Sequence, residues 1–135
     1  MTSFELVEMI KKHEGLSLKP YKDTVGKLTI GYGRNLDDRG LSEKEARYLL
    51  SNDVLEAMNE AKTFSWYSYL SSNRQAVIVN MIFNLGLTKF KTFKNMISAI
   101  EKRDYKTAAA EMLNSKWAEQ VKSRAVMLSR MMENA

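Results

Sequence analysis

Backbone punctuation is concentrated near one end of this chain. Of 135 residues only Pro20 is a proline, and of six glycines four, Gly15, Gly26, Gly31 and Gly33, stand within one short N-terminal stretch. Glycine permits conformations closed to other residues and proline forbids helix continuation, so turns and strands are predicted there and helices in the rest. The expected class is α+β, mainly helical. With 135 residues and 44% apolar content the chain can bury one good core and has little material for a second. A single domain spanning 1–135 is expected, with a small β-containing lobe at about 14–40 and a helical lobe from 1–13 and 42–135.

Capping signals and apolar periodicity place the elements. Thr2 and Glu5 make a capping-box pattern ahead of Leu6, Val7 and Ile10, which predicts a first helix ending near Gly15. Tyr21 and the run Leu28-Thr29-Ile30 favour strands, and Asp23-Thr24-Val25-Gly26 between them reads as the turn of a hairpin. Asn35 to Gly40 reads as a loop. Ser42 and Glu45 open a second helix carrying Ala46, Leu49, Leu50, Val54, Ala57 and Ala61. Ser72 and Gln75 are expected to cap a third, apolar nearly all round and stopped at Gly86, which makes it the buried centre. Thr92, Asp104 and Ser115 are read as N-caps of helices reaching Ile100, Leu113 and, through Val121, Met132. Trp66, Tyr67, Tyr69, Trp117 and most of the nine methionines are assigned to the core.

Composition excludes several chemistries. There is no cysteine and His13 is the single histidine, which removes the usual thiolate and imidazole ligands of zinc and leaves little basis for a histidine-dependent triad. Neither a cofactor nor a metal is expected. The formal charge of +5 favours encounter with polyanions, whether nucleic acid, anionic membrane or acidic wall polymer, without choosing among them. The N-terminus lacks the pattern of a signal peptide, and no apolar run approaches the roughly 20 residues of a bilayer span. Synthesis in the cytoplasm without stable membrane insertion, as a monomer, is expected.

Two carboxylates differ in setting. Glu14 falls at the C-terminal end of the first helix, where the macrodipole disfavours negative charge, and Asp23 falls in the adjacent turn. A protonated acid beside an ionised carboxylate suits glycoside hydrolysis. With 16 acidic residues in the chain many such pairs exist, so the pairing alone is weak. Thr29, taken singly, is an ordinary strand threonine. Gly31-Tyr32-Gly33 lacks the third glycine and following helix of a nucleotide-binding turn.

The order of these residues carries more. Glu14-Gly15-Leu16, Tyr21-Lys22-Asp23-Thr24, Gly26 and Leu28-Thr29-Ile30-Gly31-Tyr32-Gly33 closely resemble the active-site region of the lysozymes of T-even phages and related endolysins. The resemblance extends over most of the chain. Leu41 to Val54 is similar to that family's connecting helix, Asn80-Met81-Ile82-Phe83-Asn84-Leu85-Gly86 to its central buried helix, and Lys116-Trp117 with Arg124 to its C-terminal segment. The resemblance implies a lysozyme-like fold with a cleft between the lobes, and hydrolysis of the β-1,4 bond between N-acetylmuramic acid and N-acetylglucosamine in bacterial peptidoglycan, with inversion. It places the catalytic group at Glu14, Asp23 and Thr29, and makes Arg124 the arginine that supports the acid. It also implies release to the cell wall through a phage-encoded holin, with no nucleic-acid partner. Many family members have histidine after the second glycine of the turn, where this chain has Arg34, and the segment before the connecting helix is short. Two other readings stay open: a lytic transglycosylase, and a non-catalytic basic helical module that binds wall polymer or nucleic acid.

Overall fold

A computed structural model describes residues 1–134. The chain is α+β and mostly helical, with one small antiparallel sheet. By their contacts the described residues form two compact units, 1–48 and 49–134, and the boundary falls inside a helix, α2 (Glu43–Ala61).

In the first unit, helix α1 (Ser3–Glu14) begins where the Thr2 hydroxyl accepts the Glu5 N–H at 3.1 Å and stops at Gly15, whose φ is 72°. Strands β1 (Ser17–Lys22), β2 (Leu28–Gly31) and β3 (Arg34–Asn35) follow in spatial order β1-β2-β3. The register of β1 on β2 is broken between Ser17 and Tyr21, where Pro20 lacks the N–H that a regular ladder needs; an edge strand tolerates this. The hairpin is as expected. The third strand is not, because Asn35 was read as the start of a loop. Two residues are too few to leave an alternating pattern. The first unit also includes α1, whereas residues 1–13 were assigned to the helical lobe. Its last turn meets the turn between β2 and β3: Lys11 Nζ lies 5.5 Å from the centre of the Tyr32 ring, within reach of a cation–π attraction.

Ser42 and Glu45 form a reciprocal capping box at the start of α2, with the Glu45 N–H donating to the Ser42 hydroxyl at 3.1 Å and the Ser42 N–H donating to Glu45 Oε1 at 2.8 Å. The same carboxylate takes both terminal nitrogens of Arg34 in a fork, Nη1 at 2.7 Å from Oε1 and Nη2 on Oε2, while Nη1 also donates to the Gly40 carbonyl. This bidentate pair ties β3 to the N-terminus of α2.

The second unit holds the remaining helices: α3 (Ser72–Leu85), α4 (Leu87–Phe90), α5 (Lys94–Glu101), α6 (Tyr105–Leu113), α7 (Lys116–Val121) and α8 (Ser123–Asn134), with a short 3-10 turn at Tyr67–Tyr69. Val77, Ile78, Met81 and Ile82 put α3 at the centre of its core, against Phe90, Met96, Ile100, Met112, Leu128 and Met132. Trp66, Tyr67 and Trp117 are buried in it as expected, and Tyr69 is not.

Asp104 and Ser115 cap α6 and α7 as read from the sequence. Ser71, not Ser72, caps α3, accepting the Arg74 N–H. Thr92 caps nothing; its hydroxyl donates to the Lys89 carbonyl and closes α4. The expected helix from Ser115 to Met132 is broken at Lys122, which has a φ of 49° and a ψ of −111°.

Two interactions give measurable expectations. Arg74 donates from Nε to the Met132 carbonyl at 2.6 Å and from Nη2 to the Glu133 carbonyl at 2.9 Å, with its guanidinium 3.7 Å from the Tyr105 ring centre. A cation on the negative end of α8 is favourable, and losing charged hydrogen bonds of this kind costs about 1.5–3 kcal/mol, so Arg74→Met lowers the stability read by urea unfolding by that order. The Arg34 hydrogen bond, reinforced by the Ser42 N–H, lowers the Glu45 carboxyl from 4.5 to about 2. A depressed acid stabilises the fold above its unfolded value and loses that contribution as pH falls through its folded one. Wild type is therefore more stable than Glu45→Gln at neutral pH, and thermal melts of the two converge as pH falls from about 4.5 to about 2.

Candidate active site

Glu14 is the last residue of α1, and helix termination is what frees its side chain. Gly15 turns the backbone away and donates its N–H to the Lys11 carbonyl at 3.0 Å, closing the helix. Lys11, Lys12 and His13 complement the negative end of the helix dipole; Glu14 is the acidic residue among them.

The chain then runs through β1 into the turn at Asp23. The Asp23 N–H donates to the Lys27 carbonyl at 2.9 Å, and the Gly26 N–H donates back to the Asp23 carbonyl at 3.0 Å. Oδ1 of Asp23 accepts two more backbone N–H groups, from Val25 at 3.0 Å and Lys27 at 2.8 Å. An aspartate that satisfies its own turn in this way has a fixed carboxylate plane. Gly26 makes the turn geometrically feasible with a φ of 83°.

Thr29 lies on β2, opposite Tyr21 on one side and Asn35 on the other. It is only 4% exposed, and its hydroxyl donates to the Lys27 carbonyl at 2.8 Å. With the proton committed to a backbone oxygen, Thr29 Oγ1 presents acceptor lone pairs. The backbone of one residue thus serves two candidate residues: Lys27 holds Asp23 through its N–H and carbonyl, and Thr29 through the carbonyl.

Between β2 and β3 the chain turns at Gly31-Tyr32-Gly33. Gly33 has a φ of 85°, and a side chain placed on it would bring its Cβ to 2.9 Å from Glu14 Oε2. The Glu14 carboxyl therefore lies over the bare α-carbon of Gly33. Sequence reading singled out this glycine pair without assigning it a task; a glycine flanked by an aromatic and an arginine was the signal available.

The structure brings Glu14, Asp23 and Thr29 into the first unit. Arg124 is in the second, at the start of α8, where its Nε donates to Asn80 Oδ1 at 2.9 Å and Nη2 donates to the same oxygen. That carboxamide aligns the guanidinium plane. Trp117, also implicated by its motif, donates from its indole nitrogen to Asn84 Oδ1 at 2.8 Å. Among the described residues no three His, Cys, Asp or Glu side chains gather as metal ligands would, and no helix is long and apolar enough to cross a membrane.

Comparison with known proteins adds an independent line. The phage lysozyme family profile matches residues 11–133. A probable T4-type lysozyme 2 of Dictyostelium discoideum is 30% identical, with 89% of this chain and 88% of that protein aligned. An endolysin of Acyrthosiphon pisum secondary endosymbiont phage 1 is 31% identical over 82% of this chain and 75% of its own length. A SAR-endolysin of Bacteriophage PS119 is 28% identical over 73% of this chain and 60% of its own. The profile spans the helix end, the hairpin and the helices beyond, so the chain belongs to the phage lysozyme family and is a glycoside hydrolase, a muramidase acting on peptidoglycan.

Proposed function

We propose that Glu14 is the general acid of an inverting hydrolysis that cuts the β-1,4 bond between N-acetylmuramic acid and N-acetylglucosamine. Glu14 delivers its proton to the glycosidic oxygen as the bond to the anomeric carbon breaks. Asp23 stabilises the positive charge that develops on the sugar, and Asp23 with Thr29 orients the water that attacks the opposite face, the Asp23 carboxylate taking the proton that this water loses as its bond to the anomeric carbon forms. The observation that carries this reading is the shared Lys27 backbone. It anchors the carboxylate and the hydroxyl in one rigid piece of backbone, with the hydroxyl left as an acceptor for water.

Arg124 is assigned the supporting role that the resemblance gives it, with Asn80 aligning its guanidinium. The reading also takes from the resemblance the route to the wall, through a pore made by a phage-encoded holin.

Turbidity clearing of peptidoglycan suspensions tests the assignment. Removing a general acid costs about 10²–10⁴ in rate, so Glu14→Gln falls by that order with its circular dichroism unchanged, and retained clearing would refute the role. Asp23→Ala loses most activity. Thr29→Val loses less, since it removes one of two groups that hold the water. Products of the wild-type enzyme carry reducing ends and release the α-anomer first; anhydromuramic ends in the mass spectrum would mark a transglycosylase instead.

A further inference from the structure

The six glycines offer an internal comparison. All six have positive φ, from 61° at Gly40 to 85° at Gly33, so conformation alone accounts for glycine at each. They differ in what occupies the space of the missing side chain. Around Gly15, Gly26, Gly31 and Gly86 a Cβ would meet nothing within 4 Å, and at Gly40 only the Leu36 carbonyl at 3.9 Å. At Gly33 that space is filled, by Oε2 of Glu14 at 2.9 Å, its Cδ at 3.4 Å and its Cγ at 3.7 Å. One glycine of six has lent its side-chain volume to another residue, and that residue is the proposed acid.

We propose that Gly33 is a positioning residue for the Glu14 carboxyl: its bare α-carbon is the seat against which the acid is held, and the turn carrying it is braced so that the seat does not yield. The inference rests on the assignment of Glu14 as general acid. A glutamate at a helix end has three rotatable bonds and little to restrain them, whereas misplacing a catalytic group by about 1 Å can cost roughly 100-fold in rate. Bracing comes from both neighbours of Gly33. Tyr32 lies under the Lys11 ammonium of the helix that carries Glu14, and Arg34 is locked to Glu45 and the Gly40 carbonyl. A Cβ at position 33 is fixed by this backbone, while the carboxyl opposite it ends a flexible side chain. The carboxyl is what must move.

This separates activity from stability. Gly33→Ala carries the strain of a positive φ and also displaces the acid; Gly86→Ala, at a nearly equal φ of 84°, carries strain alone. Gly33→Asn supplies the same Cβ on a residue that tolerates positive φ better, and keeps the test open should the alanine variant melt below the assay temperature. On soluble, uncross-linked glycan strands, both position-33 variants lose roughly tenfold or more in kcat with KM changed by about twofold or less, and the limb of the pH–rate profile that reports Glu14 moves. Gly86→Ala melts earlier but keeps its kcat and its pH profile. Wild-type kcat in folded Gly33→Ala or Gly33→Asn overturns the proposal, as does a loss that tracks only the folded fraction. Glu14→Gln in the same assay separates the two claims. If it is inactive while the position-33 variants are normal, only the seat is refuted; if it stays active, the acid assignment itself fails.

Discussion

The backbone of Lys27 is the constraint from which the rest of the site follows. Its carbonyl accepts from the Asp23 N–H and the Thr29 hydroxyl, and its N–H donates to the Asp23 carboxylate. A turn alone would position a carboxylate loosely, because surface turns exchange hydrogen bonds with water at little cost. Here the turn is continuous with a strand whose Thr29 is buried, so opening the turn would also strip a buried hydroxyl of its acceptor. Asp23 and Thr29 are therefore mechanically one object. That explains how six residues of sequence separation become a fixed spatial relation without a large core beneath them.

The Arg34–Glu45 fork extends the same rigidity outward. An imidazole in this place would lose its charge near neutral pH, and any ion pair built on it would weaken with it. A guanidinium stays charged throughout the range in which a wall hydrolase works, and its fork matches the carboxylate in two bonds. Glu45 contributes to both ends of the arrangement, since it also closes the capping box that starts α2. The last strand and the first turn of the long helix are thereby joined through one carboxylate, which compensates for the short segment between them.

Much of this fold was legible because it is encoded locally. Thr2, Ser42, Asp104 and Ser115 cap helices through hydrogen bonds to residues three positions on, and Gly15 and Gly86 end helices through their own φ. Errors arose where two local signals compete. Ser71 and Ser72 are both competent caps, and only the φ and ψ of the folded chain select the first. Strand β3 is too short to have a period. The candidate site divides along the same line. Asp23 could be read as a turn former from its own neighbours, but Thr29 and Arg124 came from resemblance, since a strand threonine and a helix arginine carry no local mark of a task. The contact of Glu14 with Gly33 was beyond reach, because 19 positions of chain separate them by their numbering and only the folded sheet brings them together.

Lys122 shows how a local conflict can be settled in favour of placement. Nothing between Val121 and Ser123 signals a break, and a lysine at φ 49° and ψ −111° stores about 1–3 kcal/mol of strain. The strain persists because the residue serves both helices: its N–H closes α7 on the Ala118 carbonyl at 2.9 Å, and its carbonyl accepts from Ala125 at 3.0 Å to open α8. Without the break, Arg124 would lie in the middle of one helix, on a face set by the phase of Trp117. With it, Arg124 becomes the second residue of a new helix, and its guanidinium meets Asn80 while Trp117 remains buried against Phe93. Two residues seven apart thus sit in separate helices, Trp117 on Asn84 and Arg124 on Asn80, and the cost of the strained backbone is carried at the position that separates them.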